Sequence, residues 1–205
     1  MNGARVWSGN SLDLLCMNEA ERNASARSEK EVTLMKRISK EDQVAMEELI
    51  GLWKLPLYRF FLRSLNHHQD AEDLTQRVFI RVYRSSARYA PKAKFSTWIF
   101  TIARNLLIDE IKKRQRRPQI VSDEHIENRN SVDSGNLEEW NEVLLRRLEA
   151  IPENQKTALL LRVQRELSYK EIAEVMKTTE SSVKTWIHRA RLDLKSSLSN
   201  TDQTS

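Results

Sequence analysis

Apolar residues recur at helical intervals in a series of segments, and short polar stretches break the pattern between them. The clearest case runs from Asp70 to Arg117. Leu74, Val78, Phe79 and Val82 form one stripe, with Asp70 as its expected N-cap and Asp73 in the first turn, where a carboxylate suits the positive helix end. Pro91, with Lys92 and Lys94 beside it, marks a loop over Tyr89 to Lys94, because proline disfavours helical geometry in the residue before it. A second helix is expected from Phe95 or Ser96. At about 100° per residue, Phe95, Trp98, Ile99, Ile102 and Leu106 share one face, and Thr97, Thr101, Arg104 and Lys112 share the opposite one. It closes in KKRQRR, five cations in six positions, which suit a helix C-terminus and also a phosphate backbone.

The rest of the chain reads the same way. Ser28 to Glu31 has the form of a capping box ahead of Val32, Leu34, Met35 and Ile38. Ser39 to Asp42 starts another helix through Met46, Leu49, Ile50 and Trp53. Leu55 to Leu65 is apolar on several sides, as expected for a helix inside a bundle. Asn66 to Gln69 is read as the turn into the organising pair. The adjacent His67 and His68 have no Cys or His partner nearby, so they are loop residues here rather than half of a metal site.

Beyond Pro118 the period is lost until Leu137. Leu137–Leu148 and Glu153–Arg165 are expected helices, separated by Ile151-Pro152. A second capping box, Ser168-Tyr169-Lys170-Glu171, opens a short helix with Ile172, Ala173 and Met176 inward. Thr179 caps the next. There Val183, Ile187, Ala190 and Leu194 make a buried stripe, with Ser181, Lys184, Thr185, His188 and Lys195 on the other side. Two short helices about a tight turn, the second polar and basic outside, make a helix-turn-helix.

The expected fold is all-α, in two small helical units joined by a linker. Residues 1–27 lack periodicity and read as a disordered tail, 28–117 as a helical bundle, 118–136 as a flexible acidic linker, 137–198 as the helix-turn-helix unit and 199–205 as a short tail. The linker's nineteen residues reach about 65 Å when extended. Only four glycines and four prolines in 205 residues favour helices over a turn-rich β fold. No apolar run approaches the roughly 18 residues of a membrane span, and the first thirty residues lack a signal-peptide core. The single cysteine, Cys16, has no internal partner, so a reducing cytoplasm is expected. Met17 and Met35 leave a shorter natural start open.

Charge sharpens this picture. Lys36 to Arg117 carries 18 Lys/Arg against 9 Asp/Glu, Pro118 to Glu139 one against six, and Trp140 to Leu198 11 against 8. Two basic blocks flank an acidic connector, which points to nucleic acid as the partner of the blocks.

AEDLTQRVF followed by FSTWIFTIARNLLID and a basic run resembles region 2 of the bacterial sigma factors, in particular the small extracytoplasmic-function (ECF) group of the sigma-70-like family. The helix-turn-helix that follows in the right order resembles their region 4, so the resemblance covers roughly Val32 to Leu198. It implies an alternative sigma factor that binds RNA polymerase core and directs initiation at minus-ten and minus-thirty-five elements. It implies no catalytic residue, cofactor or membrane insertion, and it admits an anti-sigma factor as a further partner. By position, Asp73, Gln76, Arg77 and Arg81 correspond to the polymerase-binding helix. Arg77 stands where that family usually has Glu.

The loop from Tyr89 and the helix after it correspond to the minus-ten reader, where relatives take a flipped non-template base into a pocket. Arg81, Tyr89 and Asn105 are its pocket candidates, with Trp98 beneath them and Lys92, Lys94 and Arg104 alongside. Lys112, Lys113, Arg114, Arg116 and Arg117 would hold phosphates. Lys184, Thr185 and His188 are expected to reach base edges in the major groove, and Ser181, Ser182 and Arg189 phosphates. Simpler roles stand beside these: core packing for Trp98, a structural hydrogen bond for Asn105, a solvated helix end for the basic run. Lys177 occupies a turn position where the family commonly has glycine, and Trp186 one where it often has arginine.

Two other functions fit parts of the sequence. A freestanding helix-turn-helix regulator explains the C-terminal block but not Asp70–Arg117. A metal-dependent nuclease built on Asp70, Glu72 and Asp73 lacks the further acids or histidines that a metal site needs.

Overall fold

The computed structural model describes residues 28–116, 145–165 and 167–199. The expected tails, the linker 118–136, Arg117 and most of Leu137–Leu148 lie outside the described residues. Within them the secondary structure is helical.

Helix α1 (28–38) leads by a turn into α2 (Gln43–Leu65). Asp42, at the end of the expected start Ser39 to Asp42, caps α2, its side chain accepting from the Ala45 amide at 3.1 Å. Ser28 is already helical, and Glu31 serves the core instead, its Oε1 accepting from Trp53 Nε1 at 3.1 Å. The two segments expected on either side of Lys54 are one continuous helix with Pro56 inside it. An interior proline costs about 3 kcal/mol through its missing N–H and ring clash. Buried Trp53, Leu57, Phe60 and Phe61 keep both halves packed on the same core.

Helix α3 (His68–Ser85) begins three residues earlier than a cap at Asp70 predicts. Asp70 is therefore not the N-cap. His67 takes that place in an extended conformation, its ring Nδ1 accepting from the Asp70 amide at 3.2 Å. Any acceptor so placed satisfies one of the free amides at a helix start, which is why an imidazole can replace the expected carboxylate. A single 3-10 turn (Ser86–Arg88) and the loop lead to α4 (Phe95–Arg116).

The core of this first unit is aromatic. Trp53 lies 5.4 Å from Phe95 and 6.1 Å from Phe100, and Phe60 packs edge-on to Phe100 at 5.3 Å. Ion pairs lace α3 to the antiparallel α4: Asp70 with Arg114, Arg77 with Glu110 and Arg81 with Asp109.

In the second unit a helical turn at 145–149 (α5) precedes α6 (Glu153–Arg165), α7 (Tyr169–Met176) and α8 (Glu180–Ser199). The capping box of α7 is present in full, with Glu171 N donating to Ser168 Oγ and Ser168 N to Glu171 Oε2. Thr179 Oγ1 accepts from Ser182 N at the start of α8. Val183, Ile187 and Ala190 are buried as the stripe predicts, and Leu194 is half-buried. Lys177, between α7 and α8, has φ 53°. That left-handed conformation is where the family's glycine would sit without strain. The second unit rests on the first, α7 against α4 and α6 against α2.

Candidate nucleic-acid interface

A cleft of about 530 Å³ opens where the end of α3, the loop and the start of α4 meet. This is within the size range of small-ligand pockets. Arg84, Ser85, Arg88, Tyr89, Lys92, Thr97, Trp98 and Thr101 line it, with Glu174 entering from the second unit.

The aromatic core extends into its wall. Trp53 touches Phe95, Phe95 touches Trp98 at 5.4 Å, and Tyr89 stands edge-on to Trp98 at 4.8 Å. Tyr89 and Trp98 are half-buried, with Phe95 fully buried behind them, so the wall is rigid on one side and open on the other. Burial, reinforced by the Glu31 carboxylate, raises the Tyr89 phenol above its ordinary value and keeps it a neutral donor.

Two cleft-lining residues each carry a hydroxyl oxygen, Tyr89 OH and Thr97 Oγ1, that is buried with no hydrogen-bond partner among the described residues. Leaving such a group unsatisfied costs about 1–3 kcal/mol, so a native protein that buries one commonly has a use for it. Arg84, Arg88 and Lys92 are exposed at the rim and give it a positive field.

The structure thus gathers Tyr89, Lys92 and Trp98 at one site. Arg81 and Asn105 do not line the cleft, though each continues it by helical spacing: Arg81 lies a turn before Arg84 and Ser85, and Asn105 a turn after Thr101. Lys94 is exposed and pairs with Glu171 at 2.8 Å. Arg104 is half-buried, and burial lowers its pKa.

Thr97 overturns one sequence expectation. Helical spacing puts it on the face opposite the core, yet it is buried, on the stretch of α4 that lines the cleft. Arg84 and Arg88 are cleft residues that sequence reasoning misses. With Arg81 they recur at i, i+3 and i+7, a basic stripe that could have flagged them.

The polymerase-facing candidates lie on α3, where Asp73, Gln76 and Arg81 are exposed and Arg77 is half-buried. Arg77 also bonds Asp73, at 3.4 Å. The basic run divides. Arg114 is held by Asp70 and reaches the Leu65 carbonyl, and Lys113 pairs with the buried Glu110 at 3.4 Å. Lys112 and Arg116 are exposed.

On α8, Ser181, Lys184, Thr185, His188 and Arg189 are exposed, and Ser182 is half-buried. Ser182 shares a hydrogen bond with Thr179, and Thr185 Oγ1 donates to the Ser181 carbonyl. Tyr169 lies beneath two cations, Lys184 at 5.6 Å and Arg162 at 5.1 Å from its ring centre. Trp186 is half-buried against the core, at a position where the family often has arginine.

Comparison with known proteins accounts for both units. The model of Sigma-70 region 2 matches residues 49–117, and that of Sigma-70 region 4 matches residues 141–194. The ECF RNA polymerase sigma factor SigW of Bacillus subtilis (strain 168) is 30% identical over 178 residues, covering 80% of this chain and 94% of the relative. SigM of the same organism is 34% identical over 155 residues, with 74% and 94% covered. Among solved structures the fold resembles CnrH in complex with the cytosolic domain of CnrY, with a TM-score of 0.64 and 21% identity over 86% of this chain and 99% of that one.

It also resembles the sigma factor RpoE in complex with the anti-sigma factor NepR from Bartonella quintana, with a TM-score of 0.59 and 22% identity over 75% and 96% of the two chains. A freestanding helix-turn-helix regulator leaves the region 2 match over residues 49–117 without explanation. The chain belongs to the sigma-70 family, in its extracytoplasmic-function group of transcription initiation factors.

Proposed function

We propose that this sigma factor binds RNA polymerase core and opens promoters by taking one base of the displaced strand into the Tyr89–Trp98 cleft. The observation that carries the reading is the half-buried aromatic wall of Tyr89 and Trp98 in a cleft under a basic rim. Extruding a base costs a few kcal/mol. Stacking on an aromatic side chain contributes about 1–3 kcal/mol per base, and hydrogen bonds to the base edge set the preference.

Lys92, Lys94 and Arg104 stand along the strand's path, and Arg81 and Asn105 extend it. Lys112, Arg116 and Arg117 hold the duplex phosphates, with Lys113 and Arg114 shared between that task and the α3–α4 seam. Asp73, Gln76, Arg77 and Arg81 form the polymerase-facing side of α3. On α8, Lys184, Thr185 and His188 read base edges of the minus-thirty-five element, while Ser181, Ser182 and Arg189 hold its backbone.

The protein acts as a specificity subunit and not as an enzyme, in the cytoplasm. Among the described residues no helix is long and apolar enough to cross a membrane. The reading admits an anti-sigma factor as a further partner, as the Bartonella quintana sigma factor RpoE is found in complex with the anti-sigma factor NepR.

The test is transcription by purified core enzyme on fragmented genomic DNA, with and without this protein, followed by mapping of transcript starts. New starts sharing two upstream elements are expected. Occupancy of the same sites by the protein alone, with no new starts, would make it a freestanding regulator.

A further inference from the structure

Glu31 of α1 places a carboxylate inside an aromatic core, where it is only 4% exposed. Such burial is costly unless hydrogen bonds offset it. Its Oε1 accepts from Trp53 Nε1 at 3.1 Å, and that N–H is the only polar group on the Trp53 side chain. Helix α1 is held in place for this contact by Leu34, Met35 and Ile38, all buried, and by the ion pair of Lys30 with Glu48 of α2 at 2.6 Å.

From Trp53, ring contacts lead to the cleft. Trp53 and Phe95 are each 1% exposed, with ring centres 5.4 Å apart. Phe95 is the first residue of α4, directly after the loop, and its ring meets Tyr89 at 6.0 Å and Trp98 at 5.4 Å. The Glu31 carboxylate also bears on Tyr89 itself, since it helps to raise that phenol. In a close-packed interior a displaced ring displaces the next, so the plane of Trp53 bears on both rings of the wall.

We propose that Glu31 is a positioning residue for minus-ten recognition: by holding the Trp53 indole it fixes, through Phe95, the Tyr89–Trp98 wall against which the displaced base is placed. The proposal rests on the cleft being the strand site. Being buried, Glu31 does not itself reach DNA. It nevertheless makes α1 part of the base-reading apparatus, although none of the DNA-facing residues lies on that helix.

The test uses the full chain with purified core enzyme on a premelted promoter. It reads the ratio of initiation with the native minus-ten base to initiation with its substitutes. Urea denaturation first establishes that each variant is folded at the assay temperature. Glu31→Leu leaves the Trp53 N–H buried without this acceptor and should lower the ratio at least about fivefold, close to 1 kcal/mol. Glu31→Gln keeps an acceptor oxygen and should stay within about twofold of wild type. Ile38→Ala loosens α1 about two turns further along, away from the Trp53 bond. It should lower the urea midpoint while the ratio stays within about twofold of wild type.

Trp53→Phe removes the donor instead, so it should lower the ratio too, and the double variant Glu31→Leu with Trp53→Phe should lose no more than the worse single variant. Losses that multiply overturn the proposal, because Glu31 would then act by another route. So does a Glu31→Gln ratio as low as that of Glu31→Leu, or an equal loss in Ile38→Ala, which would make the effect a general loosening. If Glu31→Leu does not fold, Trp53→Phe carries the test, and an unchanged ratio there overturns the proposal. Tyr89→Ala separates the two layers of the reading. A ratio lowered by Tyr89→Ala but unchanged in a folded Glu31→Leu protein overturns the positioning role alone. A ratio unchanged by Tyr89→Ala overturns the cleft as strand site, and the proposal with it.

Discussion

Arg77 on α3 reaches Glu110 on α4, N to O at 3.7 Å, and so partners an acid that is only 7% exposed. Glu110 is also held by Lys113 at 3.4 Å. The departure from the family's usual Glu at position 77 therefore has a local partner in this chain. Restoring the acid, Arg77→Glu, sets a second carboxylate beside a buried one. Because Arg77 is itself partly exposed, solvent screens the effect, and a loss of about 1–2 kcal/mol is expected. Urea denaturation of the full chain measures it. Stability unchanged or raised would mean that Lys113 alone neutralises Glu110.

Lys177 holds a left-handed conformation at φ 53°, with its amide bonded to the Ala173 and Glu174 carbonyls. A side chain there carries a penalty of roughly 1–2 kcal/mol, which glycine avoids at some cost in unfolded-chain entropy. Lys177→Gly should stabilise the protein by about 0.5–1 kcal/mol. A fall in the thermal midpoint would show that the Lys177 side chain makes an interaction worth more than the strain.

The Glu171 carboxyl has an opposed set of influences. Burial alone would raise it, but Lys94 and the Ser168 amide and hydroxyl together hold it below its ordinary 4.5. A carboxyl whose folded pKa is depressed contributes stability above the unfolded value and loses it as the pH falls through the folded value. The stability difference between wild type and Glu171→Gln should thus be constant down to about pH 4.5 and shrink below it. Urea midpoints for the two proteins from neutral to acid pH check this. A difference that grows on acidification would reverse the sign assigned to the pair.

The basic end of α4 should show two classes of behaviour. Lys112 and Arg116 are exposed, whereas Arg114 is engaged by Asp70 and the Leu65 carbonyl. Neutralising Lys112 or Arg116 in the polymerase complex should reduce the slope of log affinity against log salt by about 0.9 for each duplex phosphate left without its cation. Arg114→Ala should instead lower the urea midpoint of the free protein. Equal salt slopes for wild type and the Lys112 and Arg116 variants would remove those cations from the DNA path.

The helices, the capping box of α7, the Thr179 cap and the buried stripe of α8 are legible in the sequence because each depends on residues within one or two turns. The features that the sequence hides depend on chain elements far apart. Thr97 is polar and off the apolar face, so nothing local announces that it will be buried. The His67 cap competes with an Asp that local preference favours, and Asp70 is drawn off by Arg114. Pro56 marks a break that tertiary packing overrides. The approach of Glu174 to the cleft has no sequence signal, since it depends on how one unit sits on the other.

The cleft itself is tested most directly by transcription with purified core enzyme on two forms of one promoter, fully duplex and premelted across the minus-ten element. Tyr89→Ala and Thr97→Ala remove one buried hydroxyl each, and the first also removes the ring beside Trp98. The Lys112 and Arg116 variants leave the cleft intact. If the cleft takes the displaced base, premelting should largely restore initiation to the Lys112 and Arg116 variants. The Tyr89 and Thr97 variants should then still fail to distinguish the native minus-ten base from its substitutes. Full base discrimination by Tyr89→Ala and Thr97→Ala on the premelted template would contradict the assignment.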